Sequence, residues 1–153
     1  PAFIREATKS WLPLGKNVVI IGGDLVGLEL AEFLAERGRH VTVIDENSHF
    51  GRGLPIVRRW RIFDELAKLG VTLQKSCSHI AITDSAVRAT DAGGNALNLT
   101  ADQVIVAKGA QSNLTLADEL GQVGLNVHSI GDCTGVGYID GAMRSAAQIA
   151  RLI

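Results

Sequence analysis

Asn17-Val18-Val19-Ile20-Ile21-Gly22-Gly23-Asp24-Leu25-Val26-Gly27-Leu28-Glu29 is the stretch that decides how this chain is read. The unbroken β-branched run from Val18 to Ile21 predicts a strand covered on both faces, as strands of parallel sheets are. Two glycines then predict a tight turn. An amphipathic stretch from about Leu25 to Arg37 predicts a helix that Gly38 closes, with Val26, Leu30, Phe33 and Leu34 as its inner stripe. The first turn of such a helix presents unpaired N–H groups and about half a positive charge. An anion suits that place, a diphosphate above all.

The spacing Gly22-x-Asp24-x-x-Gly27 departs by one residue from the Gly-x-Gly-x-x-Gly fingerprint of dinucleotide turns. Gly22 and Gly23 allow the turn, Gly27 lets the helix lie close to its strand, and Leu25 and Val26 supply first-turn N–H groups. Asp24 occupies the middle position. A carboxylate about 4 Å from a phosphate costs on the order of 4 kcal/mol at an effective dielectric near 20. That is roughly a thousandfold in affinity. Asp24 is also placed to cap its own helix, a bond worth about 1 kcal/mol, and so to fill part of the seat itself. The other outcome is a side chain that points to solvent. Asp45 ends the second predicted strand 23 residues after Gly22, where a carboxylate can accept both ribose hydroxyls of an adenosine. Glu46 is the alternative reader. An acid here favours NAD over the 2′-phosphate of NADP, and Arg52 pulls the other way.

The rest of the chain alternates strands and helices. His40 to Asp45 predicts a second strand. Pro55 opens a helix carrying Ile56, Trp60, Phe63, Leu66 and Leu69 up to Gly70, and Val71 to Gln74 predicts a third strand. From His79 to Thr100 the period falls to two, with turns at Asp84-Ser85 and Gly93-Gly94-Asn95, which predicts a three-stranded antiparallel meander. Gln103 to Ala107 returns to parallel-strand character. Leu114 to Leu120 suggests helical turns and Val127 to Ile130 a strand. Ile139, Ala142, Met143, Ala146, Ile149 and Ile153 predict a last helix. The expected fold is α/β: a Rossmann-like doubly wound parallel sheet with an inserted three-stranded antiparallel meander. Residues 1–16, with Trp11 and Pro13, are expected to form a linker or docking arm, and 17–110 the NAD(P)-binding domain.

Composition excludes several classes. The 153 residues are 46% hydrophobic with a net charge of -1, as in an ordinary globular α/β protein. No basic excess points to nucleic acid, and no apolar run approaches the ~20 residues that span a bilayer. No signal peptide precedes the first strand, so a cytoplasmic location is expected. Cys77 and Cys133 lack a C-x-x-C partner, which predicts two reduced thiols and no metal site. The chain opens on Pro1 and holds one methionine, Met143, so it is read as a piece of a longer polypeptide. His40, His49, His79 and His128 are scattered. Arg58, Arg59 and Arg61 are expected on the solvated side of a helix whose apolar side holds Trp60. No residue is assigned a catalytic role, and the chemistry is expected to belong to a cofactor.

Val18 to Asp45, Gln103-Val104-Ile105-Val106-Ala107-Lys108-Gly109 and Val127-His128-Ser129-Ile130-Gly131-Asp132 together resemble the pyridine-nucleotide domain of two-dinucleotide-fold flavoprotein reductases. The ending Gly131-Asp132-Cys133, followed by Gly137-Tyr138-Ile139-Asp140-Gly141-Ala142-Met143-Arg144-Ser145-Ala146, is similar to the C-terminal part of NADH:flavin oxidoreductases of the 2,4-dienoyl-CoA reductase and trimethylamine dehydrogenase type. The resemblance implies a nucleotide domain that holds NADH for hydride transfer to a flavin held elsewhere. It implies that Gly109 lines the crevice near the nicotinamide, and that Gly131 and Asp132 contact FAD. Residues 111–153 would then return to the FAD-domain fold, which is incomplete here. Lys108 stands where the family has threonine and Ser112 where it has proline. FMN, an iron–sulfur cluster and the first dinucleotide fold would lie in the remaining domains of the same polypeptide, its expected partners. The trimethylamine dehydrogenase branch resembles a version that has lost pyridine-nucleotide use. Asp24 fits that branch as well, and the alternative is a scaffold domain with its pyrophosphate seat plugged by Asp24.

Overall fold

The computed structural model describes residues 6–8 and 11–152. The chain divides into two compact units, Pro1–Gly109 and Ala110–Ile153. In the first, β1 (Asn17–Ile21), α1 (Leu25–Ala35), β2 (His40–Ile44), α2 (Ile56–Lys68) and β3 (Thr72–Gln74) are followed by β4 (Ser78–Ile82), β5 (Ala86–Thr90) and β6 (Ala96–Thr100). The unit ends with β7 (Gln103–Val106). The parallel sheet has the order β3-β2-β1-β7, and β4-β5-β6 form a separate antiparallel sheet. Ile20 of β1 lies opposite Val43 of β2 and Ile105 of β7, so β1 is an inner strand.

Both faces of β1 are covered, which is why its sequence does not alternate. Val18 and Ile20 cluster with Leu28, Ala31 and Leu34 of α1 and Ile62 and Leu66 of α2. Val19 and Ile21 cluster with Ile44, Cys77 and the meander residues Val87 and Ala89. Each such aliphatic side chain contributes about 1.5–3 kcal/mol on full burial. The crossover helices thus share one face of the sheet, and the meander covers the other.

Two helix faces differ from expectation. In α1 the buried residues are Gly27, Leu28, Ala31 and Leu34, whereas Val26 and Phe33 are exposed. Gly27 lies against the Gly22 carbonyl, and that contact fixes the rotation of the helix. In α2 the buried residues are Ile62 and Leu66, while Ile56, Val57 and Trp60 are exposed. Burial of Ile62 and Leu66 sets the inner face, and Arg58 lies beside it. Its guanidinium reaches Glu29 and Glu32 of α1 and Glu65 of α2 at 3.1–3.5 Å. Arg58 is therefore an interhelical clamp rather than part of a solvated face. The network is partly exposed, so Arg58→Gln is expected to cost about 1 kcal/mol in thermal unfolding. High salt should shrink the difference between the two proteins.

Within the expected arm, Leu12 and Leu14 pack against the helix-side core, and the Leu12 carbonyl accepts from Arg39 Nη2 at 2.9 Å. Residues 1–5 and 9–10 of that arm lie outside the described ones, as does Ile153 at the end of the expected last helix. The second unit contains α3 (Thr115–Gln122), a 3-10 turn (Gly131–Cys133) and α4 (Tyr138–Ile149). Residues 127–130 are not a strand, because the described residues of this unit include no strand to pair with them. None of its described residues is buried, and Ile139 and Met143 of α4 are exposed.

Candidate functional site

The chemistry-bearing residues of the first unit converge at the carboxyl end of the parallel sheet. Beyond Ile21 the turn is bonded to both neighbouring strands: Gly22 N–H donates to the Ile44 carbonyl at 2.9 Å, and Ala107 N–H to the Ile21 carbonyl at 2.7 Å. Gly22 has φ +121°, and a Cβ there would overlap the Ala107 carbonyl, so both conformation and space demand glycine. A Cβ on Gly27 would overlap the Gly22 carbonyl, which is how closely α1 approaches its own strand. Gly23 lacks a side chain for a different reason. A Cβ there would enter the Phe50 ring. The Gly23 carbonyl accepts Gly51 N–H at 2.7 Å. The loop after β2 thus lies against the glycine turn.

Asp24 is the N-cap residue of α1, yet its carboxylate makes no capping hydrogen bond. The expectation that it caps the helix is corrected. Asp24 Oδ1 accepts Arg52 N–H at 3.1 Å and Nε at 3.3 Å, and Oδ2 accepts Nη2 at 3.1 Å. Paired, charge-assisted bonds to a guanidinium outcompete a single neutral N–H. The Asp24 carboxylate and its hydrogen bonds in turn hold Arg52 more firmly protonated than usual. Two consequences follow. The first-turn N–H groups, those of Leu25 and Val26 included, receive no acceptor from the cap side chain. The repulsion expected between Asp24 and a phosphate is offset by a cation 3.1 Å from the carboxylate.

Asp45 is only 3% exposed. Its Oδ2 accepts Gly23 N–H at 2.6 Å, and its Oδ1 accepts Asn47 N–H at 2.8 Å and Asn47 Nδ2 at 2.6 Å. Burial pushes this carboxyl up. The N–H bonds from Asn47 and Gly23, the Asn47 amide and the Lys108 charge outweigh burial and hold it below the usual carboxylate range. Both oxygens are engaged, so Asp45 braces the glycine turn from beneath. Glu46 is exposed and pairs with Lys108 Nζ at 2.8 Å, joining the ends of β2 and β7. Gly109, at φ +92°, ends this unit and is exposed.

In the second unit, Asp132 Oδ1 accepts Gly137 N–H and Tyr138 N–H, both at 2.9 Å, and so fixes the start of α4. Gly131 has φ +78° and donates its N–H to Ser145 Oγ at 2.9 Å. Both cysteines are free thiols. Burial pushes the Cys77 thiol up, which makes it unreactive. Among the described residues, no group of three His, Cys, Asp or Glu side chains is suited to hold a metal, and no helix is long and apolar enough to cross a membrane. Residue-by-residue reading missed the roles of Phe50 and of the Lys108 ion pair. Arg52 carried a signal, since it stands between Gly51 and Gly53, both at positive φ.

An inner parallel strand that ends in a glycine turn, beside a helix N-terminus where the strand order switches direction, is the architecture of Rossmann-like α/β domains of the FAD/NAD type. The chain belongs to the pyridine nucleotide-disulphide oxidoreductase family, whose pattern it matches over residues 3–146. It is 38% identical over 122 residues to bilirubin reductase of Mediterraneibacter gnavus, covering 80% of this chain and 19% of that protein. It is 33% identical over 137 residues to NADH oxidase of Thermoanaerobacter brockii, covering 88% and 21%. The solved structure of a 2-naphthoyl-CoA reductase in complex with 2-naphthoyl-CoA superposes with a TM-score of 0.82 at 31% identity, covering 96% of this chain and 22% of that one. The chain thus spans about a fifth of the length of these oxidoreductases.

Proposed function

We propose that the first unit holds NADH so that its hydride passes to a flavin carried elsewhere in a longer polypeptide. The observation that carries this reading is the uncapped first turn of α1 at the carboxyl end of an inner parallel strand. Gly22, Gly23 and Gly27 shape the turn. The N–H groups of Leu25 and Val26 point the helix's positive end at the diphosphate. Arg52 keeps Asp24 from repelling it. Glu46, the more accessible of the two acids, reads the ribose and disfavours a 2′-phosphate, while Asp45 holds Gly23 in place. When bound, nicotinamide supplies a hydride and flavin accepts it; this chain's residues bind and orient. Gly109 lines the nicotinamide end, and Gly131 and Asp132 belong to an FAD site that other segments complete. The second unit, with no buried residue among those described, suits a segment that packs on further domains. An FMN barrel and an iron–sulfur cluster of the 2,4-dienoyl-CoA reductase type are part of the same proposal.

A second reading, a scaffold that binds no nucleotide, is favoured by the contact of the Phe50–Arg52 loop with Gly23 and Asp24. Calorimetry with NADH and NADPH separates the two. The expected result is sub-millimolar NADH binding, weaker NADPH binding, and a gain of no more than about tenfold in Asp24→Gly, because Arg52 already offsets the carboxylate. No heat with either nucleotide, in both proteins, establishes the scaffold.

A further inference from the structure

We propose that the cavity between the β2–α2 loop and α2 is a second ligand site, built for a flat aromatic ring that carries an anionic group. It goes beyond the nucleotide reading and does not depend on it. The cavity has a volume of about 450 Å³ and is lined by His49, Phe50, Arg59, Trp60, Phe63 and Lys75, with Ser48. That size is typical of small-molecule sites, roughly 300–1,000 Å³.

The lining is what selects the ligand. Phe50 and Phe63 are partly buried and packed against the helix-side core, so their rings are fixed walls. Trp60 is 73% exposed and adds a third aromatic surface. Arg59 and Lys75 supply the charge. Among the described residues neither has a carboxylate partner, although Arg58 and Arg61 beside Arg59 and Lys68 of the same helix are all ion-paired. No carboxylate lines the cavity, so nothing in it neutralises the two cations. His49, hydrogen-bonded through Nδ1 to Ser48 Oγ at 2.9 Å, completes the polar lining. Aromatic faces bind a flat ring, and a guanidinium and an ammonium beside them bind its carboxylate, sulfonate or phosphate. None of the lining residues belongs to the Gly22–Gly27 turn; Phe50, which lies against Gly23, is the residue common to both neighbourhoods.

The test follows the Trp60 indole N–H signal by NMR in the 153-residue chain carrying Trp11→Phe, with 2-naphthalenesulfonate as probe. The expected result is a saturable shift with a dissociation constant of about 1 mM or tighter, as a ligand of this size gives. Neutral 2-naphthalenemethanol should bind at least about tenfold more weakly, and Arg59→Gln and Lys75→Gln should each lose about tenfold. The dispersion of the remaining amide signals shows whether each variant is folded; should Arg59→Gln unfold, Lys75→Gln carries the test. 2-Naphthyl phosphate run in parallel distinguishes the anion: tighter phosphate binding identifies an aryl phosphate ester, tighter sulfonate binding a free aryl acid. The proposal is overturned by an unsaturable shift, by equal affinity for the neutral analogue, by unchanged affinity in a folded variant, or by displacement of the probe by NADH.

Discussion

Gly27→Val is expected to be the most damaging single substitution in the first unit, lowering stability by about 4 kcal/mol or leaving the protein insoluble. The added Cβ would overlap the Gly22 carbonyl. A backbone oxygen cannot rotate away as a side chain can, so α1 must move off β1 and expose Leu28, Ala31 and Leu34, all now buried. Overpacking of this kind costs about 1–3 kcal/mol by itself, and the lost burial of the helix face adds to it. The thermal midpoint should fall by more than about 10 °C. Gly38→Ala is the comparison. Gly38 has φ +70° but nothing within 4 Å of a Cβ, so it should cost only the backbone strain, about 1 kcal/mol. Equal losses in the two variants would show that close approach of α1 to the turn does not hold the fold.

Asp45→Ala should cost about 2 kcal/mol, because it leaves the buried Gly23 N–H without its acceptor at 2.6 Å. The midpoint should drop by about 4–8 °C. Asp45→Asn keeps an acceptor oxygen and should lose less than half as much. The pH dependence has a definite sign. The folded carboxyl is held below its ordinary value of 3.8. Its contribution is therefore fully present above that value and is lost as pH falls through the lower folded one. Denaturant midpoints between pH 2 and 7 check this. Wild type should lose stability more steeply on acidification than Asp45→Asn, and parallel curves would remove Asp45 as the brace of the glycine turn. On the reading that the first unit holds NADH, the same variants should also weaken its binding through the turn they loosen.

The covering of β1 on both faces follows from sequence signals that act at short range. Val18 to Ile21 has no polar residue to send to water, so both its faces had to be covered. The change of period after His79 marked the meander because side chains alternate every two residues on a half-buried sheet. Gly22 and Gly27 were legible because close approach excludes every other side chain. The faces of α1 and α2 were not legible. Helical spacing alone allows several apolar stripes, and the choice between them came from the Gly27–Gly22 contact in α1 and from the packing of Ile62 and Leu66 into the helix-side core in α2. The expected strand at Val127 to Ile130 failed for a related reason. A short segment with apolar ends makes a strand only where a neighbouring strand can bond it.

The site divides along the same line. The α/β class, the glycine turn and the acid at the end of β2 are legible in the residues alone, since each rests on local conformation or on a spacing of a few residues. What the acids do is set by the folded chain. Asp24 turns to Arg52, 28 residues away, Asp45 turns under Gly23, and Glu46 meets Lys108, 62 residues away. A carboxylate's partner is the nearest donor in space, and a one-dimensional pattern does not carry that distance.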